Sequence, residues 1–246
     1  MANWNDTDQR LGFGTVPRAG DAVARQETFD AGLRAHMLKI YNYMASGVLL
    51  TGLVALLTAR SGLALTFASG PLMWLVALSP LVFVFAMSFG INKFSQGTLQ
   101  AMFWAFATVM GLSLSTIFLV YTGESIAATF FATAGAFAGL SLFGYTTKKD
   151  LSGFGTFLVM GLIGLLIAMV INIFLQSSTL ALAVSFLGVL IFAGLTAWDT
   201  QRLKREYQYL RGTEFAGKAV IMGALSLYLD FINMFLFLLR FMGSRD

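Results

Sequence analysis

The sequence predicts an all-α integral membrane protein, a seven-transmembrane helix bundle; that its last helix is central follows from the span-seven residues and the resemblance given below. Three observations carry that expectation. Of 246 residues, 57% are hydrophobic and only 11% are charged, against roughly 25% charged in an average soluble domain. Mean hydropathy is +0.76, and a soluble globule exposing that much apolar surface would aggregate. Apolar runs long enough to cross about 30 Å of hydrocarbon recur seven times, at 38–59, 71–90, 97–120, 125–145, 155–175, 179–198 and 216–241.

Residues 1–36 precede these runs as a polar tail, with four arginines against five acids and with Gly12, Gly14, Pro17 and Gly20. The tail lacks the apolar core of a signal peptide. It is expected to be largely disordered and cytoplasmic, with an interfacial helix leading into a transmembrane domain at 37–242. His36, the single histidine, falls at the boundary and is expected at the interface.

Polar punctuation separates the spans: Arg60-Ser61-Gly62, Asn92-Lys93, Thr122-Gly123-Glu124, Lys148-Lys149-Asp150 and Gln176-Ser177-Ser178. The first gap, 60–70, is itself apolar enough to dip into the interface. Lysines and arginines set the orientation. With the tail in the cytoplasm, thirteen fall on that side and only Arg60, Arg240 and Arg245 on the other. This bias favours seven crossings with the N-terminus inside, and leaves open a six-crossing version with a re-entrant last segment. Small residues should mark helix contacts: Gly135 and Gly139 in span four with Gly144 beyond, Gly111 and Ser115 in span three, and Gly161, Gly164, Gly188 and Gly194 in spans five and six. Pro80 should kink span two.

Composition also removes whole function classes. Zero cysteines exclude a disulfide framework, a thiolate metal site and a cysteine nucleophile. One histidine excludes a multi-histidine metal centre. A formal charge of +4, spread over short tracts, does not make a nucleic-acid face. Nothing calls for a cofactor. The partner that composition implies is the lipid bilayer; calcium ions or protons, and a possible membrane-protein partner, are expected only from the acid pair and the resemblance given below.

Twelve residues are acidic, and ten of them are assigned to the tail, the loops or the chain end. The other two are Asp199, closing span six, and Asp230, deep in span seven. A carboxylate near the bilayer centre costs at least about 2.5–3.5 kcal/mol on insertion scales, so it is rarely kept without a pathway or a partner. Gly223, Ser226, Asp230 and Asn233 fall on one narrow face of an otherwise apolar helix. Such a helix belongs at the centre of a bundle, with Ser226 and Asn233 as candidates to line a pathway. The plainer alternative is a hydrogen-bond network that holds helices together. Asp199 and Asp230 meet only if helix six continues past 199 toward Tyr209, or if a watery vestibule reaches in from the cytoplasm. At about 4 Å and an effective dielectric of about 20, two such charges repel by about 4 kcal/mol. A pair this close shares one proton and titrates as a unit. Once ionised it would attract a hard cation, and calcium in transit would suit it.

The run Ala224-Leu225-Ser226-Leu227-Tyr228-Leu229-Asp230-Phe231-Ile232-Asn233-Met234-Phe235, with Leu238-Leu239-Arg240 after it, closely resembles the last-helix signature of the Bax-inhibitor (transmembrane Bax-inhibitor-motif) family. Trp198-Asp199-Thr200-Gln201, Lys148-Lys149-Asp150-Leu151-Ser152 and Gly111-Leu112-Ser113-Leu114-Ser115-Thr116-Ile117-Phe118 support it in the family's order, and the resemblance covers roughly 35–242. It implies a last helix wrapped by two groups of three and a pH-sensitive calcium leak gated by an aspartate pair, matched here by Asp199 and Asp230. In some relatives an arginine ending helix two latches onto the pair; here the nearest cation is Lys93, which lacks the bidentate fork. The polar tail looks like that of bacterial members, which implies an inner membrane.

Two rivals are weaker. Paired aspartates also serve intramembrane aspartyl proteases, but the Gly-x-Gly-Asp signature is absent, Leu227-Tyr228-Leu229-Asp230 standing in its place. Span seven has no lysine between Ala219 and Arg240 for a retinal Schiff base. No enzyme is therefore expected. The serious alternative is a regulatory membrane protein that binds or restrains a membrane protease or other complex.

Overall fold

The protein, seen in a computed structural model, is described here over residues 19–244. Its helices are α1 (Ala19–Arg60), α2 (Leu63–Phe67), α3 (Leu72–Gly90), α4 (Gln96–Leu114) with a following 3₁₀ turn (Ser115–Leu119), α5 (Gly123–Thr146), α6 (Ser152–Leu175), α7 (Ser178–Leu210) and α8 (Phe215–Met242). Seven of these are long and apolar enough to cross a membrane. The short α2 fills the apolar first gap. The polar punctuation does the capping: Ser95, Thr122 and Ser177 accept from the backbone N–H groups of Thr98, Ser125 and Leu180.

Two boundaries differ from expectation. α1 starts at Ala19, because after Pro17 the next proline is Pro71 and nothing stops the helix. Of the predicted disordered tail, residues 1–18 lie outside the described residues. By residue contacts, 1–35 and 36–246 form separate units. The second difference is that α7 continues past the expected end at 198 to Leu210. No glycine or proline intervenes before Gly212, and the charges are spaced to pair along one face, Arg202 with Asp199 and with Glu206.

α8 is one unbroken helix, long enough to cross a membrane. Its 28 residues reach about 42 Å at ~1.5 Å per residue. At one end Lys218 Nζ donates to the Ile91 carbonyl at 3.0 Å. Beyond the other end, Ser244 pairs with Thr122, whose N–H donates to the Ser244 carbonyl at 3.2 Å. α8 is also the most buried crossing: 72% of its most apolar stretch is buried, against 11% for α3 and for α6.

Glycines show where helices approach closely, and the expectation holds only in part. A Cβ on Gly144 would stand 2.2 Å from the Ala197 carbonyl oxygen, one on Gly111 2.8 Å from that of Thr51, and one on Gly188 2.6 Å from the Phe237 ring. Those positions weld α5 to α7, α4 to α1 and α7 to α8. Gly135, Gly139 and Gly164 face open space instead, so the GxxxG pair marks no contact within the described chain. Pro80 sits inside α3, which runs on through it. The carbonyl it frees, that of Val76, accepts from Ser79 Oγ at 2.9 Å.

The face of α8 turned toward α1 and α4 is pinned by a closed polar knot. Thr51 Oγ1 donates to the Ala107 carbonyl at 2.7 Å and lies 2.6 Å from Tyr228 Oη. Phe103 and Phe106 pack edge-on to the Tyr228 ring. Every polar atom of the knot has a partner, which is what burial demands.

Candidate functional site

α7 and α8 bring Asp199 and Asp230 together. Asp199 is 4% exposed and Asp230 5%, and the two carboxyl groups are within side-chain hydrogen-bonding reach. The meeting is possible because α7 continues well past Asp199, which therefore lies inside the helix and not at its end. Ser226, one turn before Asp230, donates to Asp199 Oδ2 and accepts from Arg202 Nη2 at 3.1 Å. Arg202 Nη2 also stands 3.0 Å from Asp199 Oδ1, as an ion pair without hydrogen-bond alignment. The Arg202 guanidinium lies over the Trp198 ring, 4.9 Å from its centre, and its Nε is 3.5 Å from Glu206 Oε1.

Two polar atoms at the pair are left over. Asp230 Oδ2 and Asp199 Oδ1 are buried and accept no hydrogen bond. Ordinary buried polar groups are satisfied, and the exceptions mark a site where something else must come.

A cavity of about 510 Å³, at the end of the bundle that carries the α3–α4 turn and the start of α8, reaches Arg202 and Ser226, the partners of Asp199; neither aspartate lines it. Ser88 and Asn92 line it on one side, Arg202, Glu206 and Ser226 on the other, with Phe215 at its rim. Of the two routes to a meeting that the sequence allowed, the structure shows the helix continuation, α7 running on to Leu210.

The same end is held by α7. Gln201 Oε1 accepts from the Leu151 N–H at 2.9 Å while its Nε2 donates to the Lys149 carbonyl at 2.7 Å. Arg205 Nη2 donates to Asp150 Oδ1 at 2.6 Å. The Ser152 N–H and Arg205 together hold the Asp150 carboxyl down to about 2. Lys204 Nζ donates to the Tyr145 carbonyl at 2.8 Å and covers the Tyr145 ring. Lys204 and Arg205 thus serve the α5–α6 turn, and Arg202 is left to face the pair.

The sequence-derived residues separate accordingly. Asp199, Asp230 and Ser226 come together. Asn233 does not join them: its Nδ2 donates back to the Leu229 carbonyl at 2.8 Å within α8, and it does not line the cavity. Lys93 is exposed in the α3–α4 turn, and the cation paired with Asp199 is Arg202 instead. Arg202 and Glu206 were missed because span six was closed at 198; the spacing of Asp199, Arg202 and Glu206 at i, i+3 and i+7 was the available signal. His36 is buried, its ring 5.1 Å from that of Tyr207. No three His, Cys, Asp or Glu side chains converge among the described residues. The pair alone therefore provides at most four oxygens, short of the six to eight that a calcium ion takes.

Residues 33–246 match the family described as inhibitor of apoptosis-promoting Bax1. The chain is 46% identical over 219 residues to the inner membrane protein YbhL of Escherichia coli, covering 87% of this chain and 94% of that one. A Caulobacter vibrioides protein is 50% identical over 228 residues, 88% of this chain and 91% of that one. A Rickettsia prowazekii protein, RP147, is 45% identical over 225 residues, 91% and 95% of the two chains.

Proposed function

The chain belongs to the Bax inhibitor family, and on that premise we propose that it is a pH-sensitive leak channel for calcium or a similar cation, gated by Asp199 and Asp230. One observation carries the reading: two buried carboxyl groups meet behind the Arg202 and Ser226 wall of a cavity, with an oxygen on each left without a hydrogen bond. A purely structural network would have closed those valences.

In this reading the pair holds one proton when shut. The shared proton ties the two carboxyl groups together, and Arg202 and Ser226 complete the shell around Asp199. Loss of that proton leaves two like charges in contact, repelling by about 4 kcal/mol at ~4 Å and an effective dielectric of ~20. α7 and α8 are driven apart there, and the exposed carboxylates attract a cation from the cavity. Calcium is bound only in passage, with water supplying most of its oxygens. The protein is no enzyme and takes no cofactor. We place it in a bacterial inner membrane with the α7–α8 turn and the N-terminus in the cytoplasm, since the lysine and arginine excess lies at that end.

The test is calcium flux into liposomes carrying the protein and an internal calcium dye, over a range of pH. Wild type should leak in a pH-dependent way, and Asp199→Asn and Asp230→Asn should each flatten that dependence. Flux that both substitutions leave unchanged defeats the gate. Complete absence of flux from wild type favours the rival role, a regulatory protein that restrains a membrane protease or another complex.

A further inference from the structure

We infer that the cavity between α3, α7 and α8 is a binding site for a small organic cation with an apolar body, its ammonium group seated on Glu206. The cavity, about 510 Å³, falls in the size range of small-molecule sites. Its walls are mainly aliphatic, with Val84, Leu203, Leu210, Met222 and Leu229 among them.

Charge decides the class of ligand. Glu206 lines the cavity with 43% of its side-chain surface exposed. Its ionic contact, with Arg202 Nε at 3.5 Å, is not a hydrogen bond, since that Nε has no hydrogen-bond partner. A carboxylate is an acceptor with capacity for about four hydrogen bonds, so Glu206 is largely unused. Arg202, by contrast, is occupied by Asp199, Ser226 and the Trp198 face. An anion would have to displace those partners and sit beside Glu206 in the same wall.

The rim already shows how an ammonium is received. Lys218 Nζ rests on the Ile91 carbonyl and lies 5.1 Å from the centre of the Phe215 ring, the arrangement of a cation over an aromatic face. Ser88 and Asn92 add neutral acceptors on the opposite wall. A bare metal ion fits less well, because no third acidic group joins Glu206 to form a cage.

The site is in the cavity from which the proposed leak draws its cation, and binding is read without conduction, so failure of the one reading is distinguishable from failure of the other. Benzyltrimethylammonium, a permanent cation, is titrated by calorimetry into the full-length protein in lipid nanodiscs, with empty nanodiscs subtracted. Phenylmethanesulfonate serves as the anion of like shape. Wild type should bind the ammonium saturably, and Glu206→Gln should weaken it at least about tenfold. Ala219→Phe, which fills the cavity from α8, should abolish binding while thermal unfolding confirms a folded protein. No binding by wild type, equal binding by Glu206→Gln, or equal binding of the sulfonate overturns the assignment.

Discussion

Two polar clusters sit two residues apart on α8, on nearly opposite faces at about 100° per residue, and they are built to opposite rules. Around Tyr228, hydroxyl, hydroxyl and carbonyl close on one another, and neither side chain is more than 2% exposed. Around Asp230 and Asp199, oxygens remain without hydrogen bonds, an ion pair stands out of alignment, and a cavity comes as near as Ser226 and Arg202. Burial alone therefore does not distinguish glue from function here; satisfaction does. The Tyr228 knot fixes α8 against α1 and α4, so that any movement at Asp230 is referred to a stationary helix.

Four experiments break or sharpen this contrast, in falling order of effect. Asp230→Asn should remove most of the pH response of the leak, which for one controlling proton is at most about tenfold per pH unit; the response is read in liposomes. Thr51→Val should strike the other cluster hardest in stability. It leaves the Tyr228 hydroxyl without its partner, while the Ala107 carbonyl keeps the Gly111 N–H of its own helix; leaving a buried group unsatisfied costs about 1–3 kcal/mol, visible as a lowered unfolding midpoint. Tyr228→Phe keeps the Thr51–Ala107 bond and should cost less, about 0.5–1.5 kcal/mol. If Tyr228→Phe proved more damaging than Thr51→Val, the knot would not be centred on Thr51.

The smallest effect belongs to Asp150 at the α5–α6 turn. Its carboxyl is held down to about 2, below the ordinary ~3.9 of an unfolded aspartate. A depressed value means the stabilisation is fully present above ~3.9 and is lost as pH falls through about 2. Asp150→Asn should therefore be slightly less stable than wild type at neutral pH, with the gap closing between about pH 4 and 2. A gap that widens on acidification would contradict the Arg205 and Ser152 contacts.

The crossings were legible because length and hydropathy are local properties. Asp199 and Asp230 were legible because acids in apolar runs are costly wherever the fold puts them. What escaped was whatever depends on where a helix ends. Closing span six at its apolar limit turned Arg202 and Glu206 into loop charges and left Lys93 as the only latch in view. The α7 extension is held by paired charges and by Gln201 on the α5–α6 turn, neither of which hydropathy registers. Gly135 and Gly139 misled for a related reason: a small-residue spacing permits close approach without naming a partner, and Gly144, nearby, took the contact.

The central claim is that the pH response resides in the Asp199–Asp230 face of α8 and not in α8 packing generally. Calcium flux against pH, measured side by side for Asp230→Asn and Tyr228→Phe in the same liposomes, tests it most directly. The account predicts a flat profile for Asp230→Asn and a wild-type profile for Tyr228→Phe. A pH-dependent Asp230→Asn, or a Tyr228→Phe variant that loses the response while still folded, would contradict it.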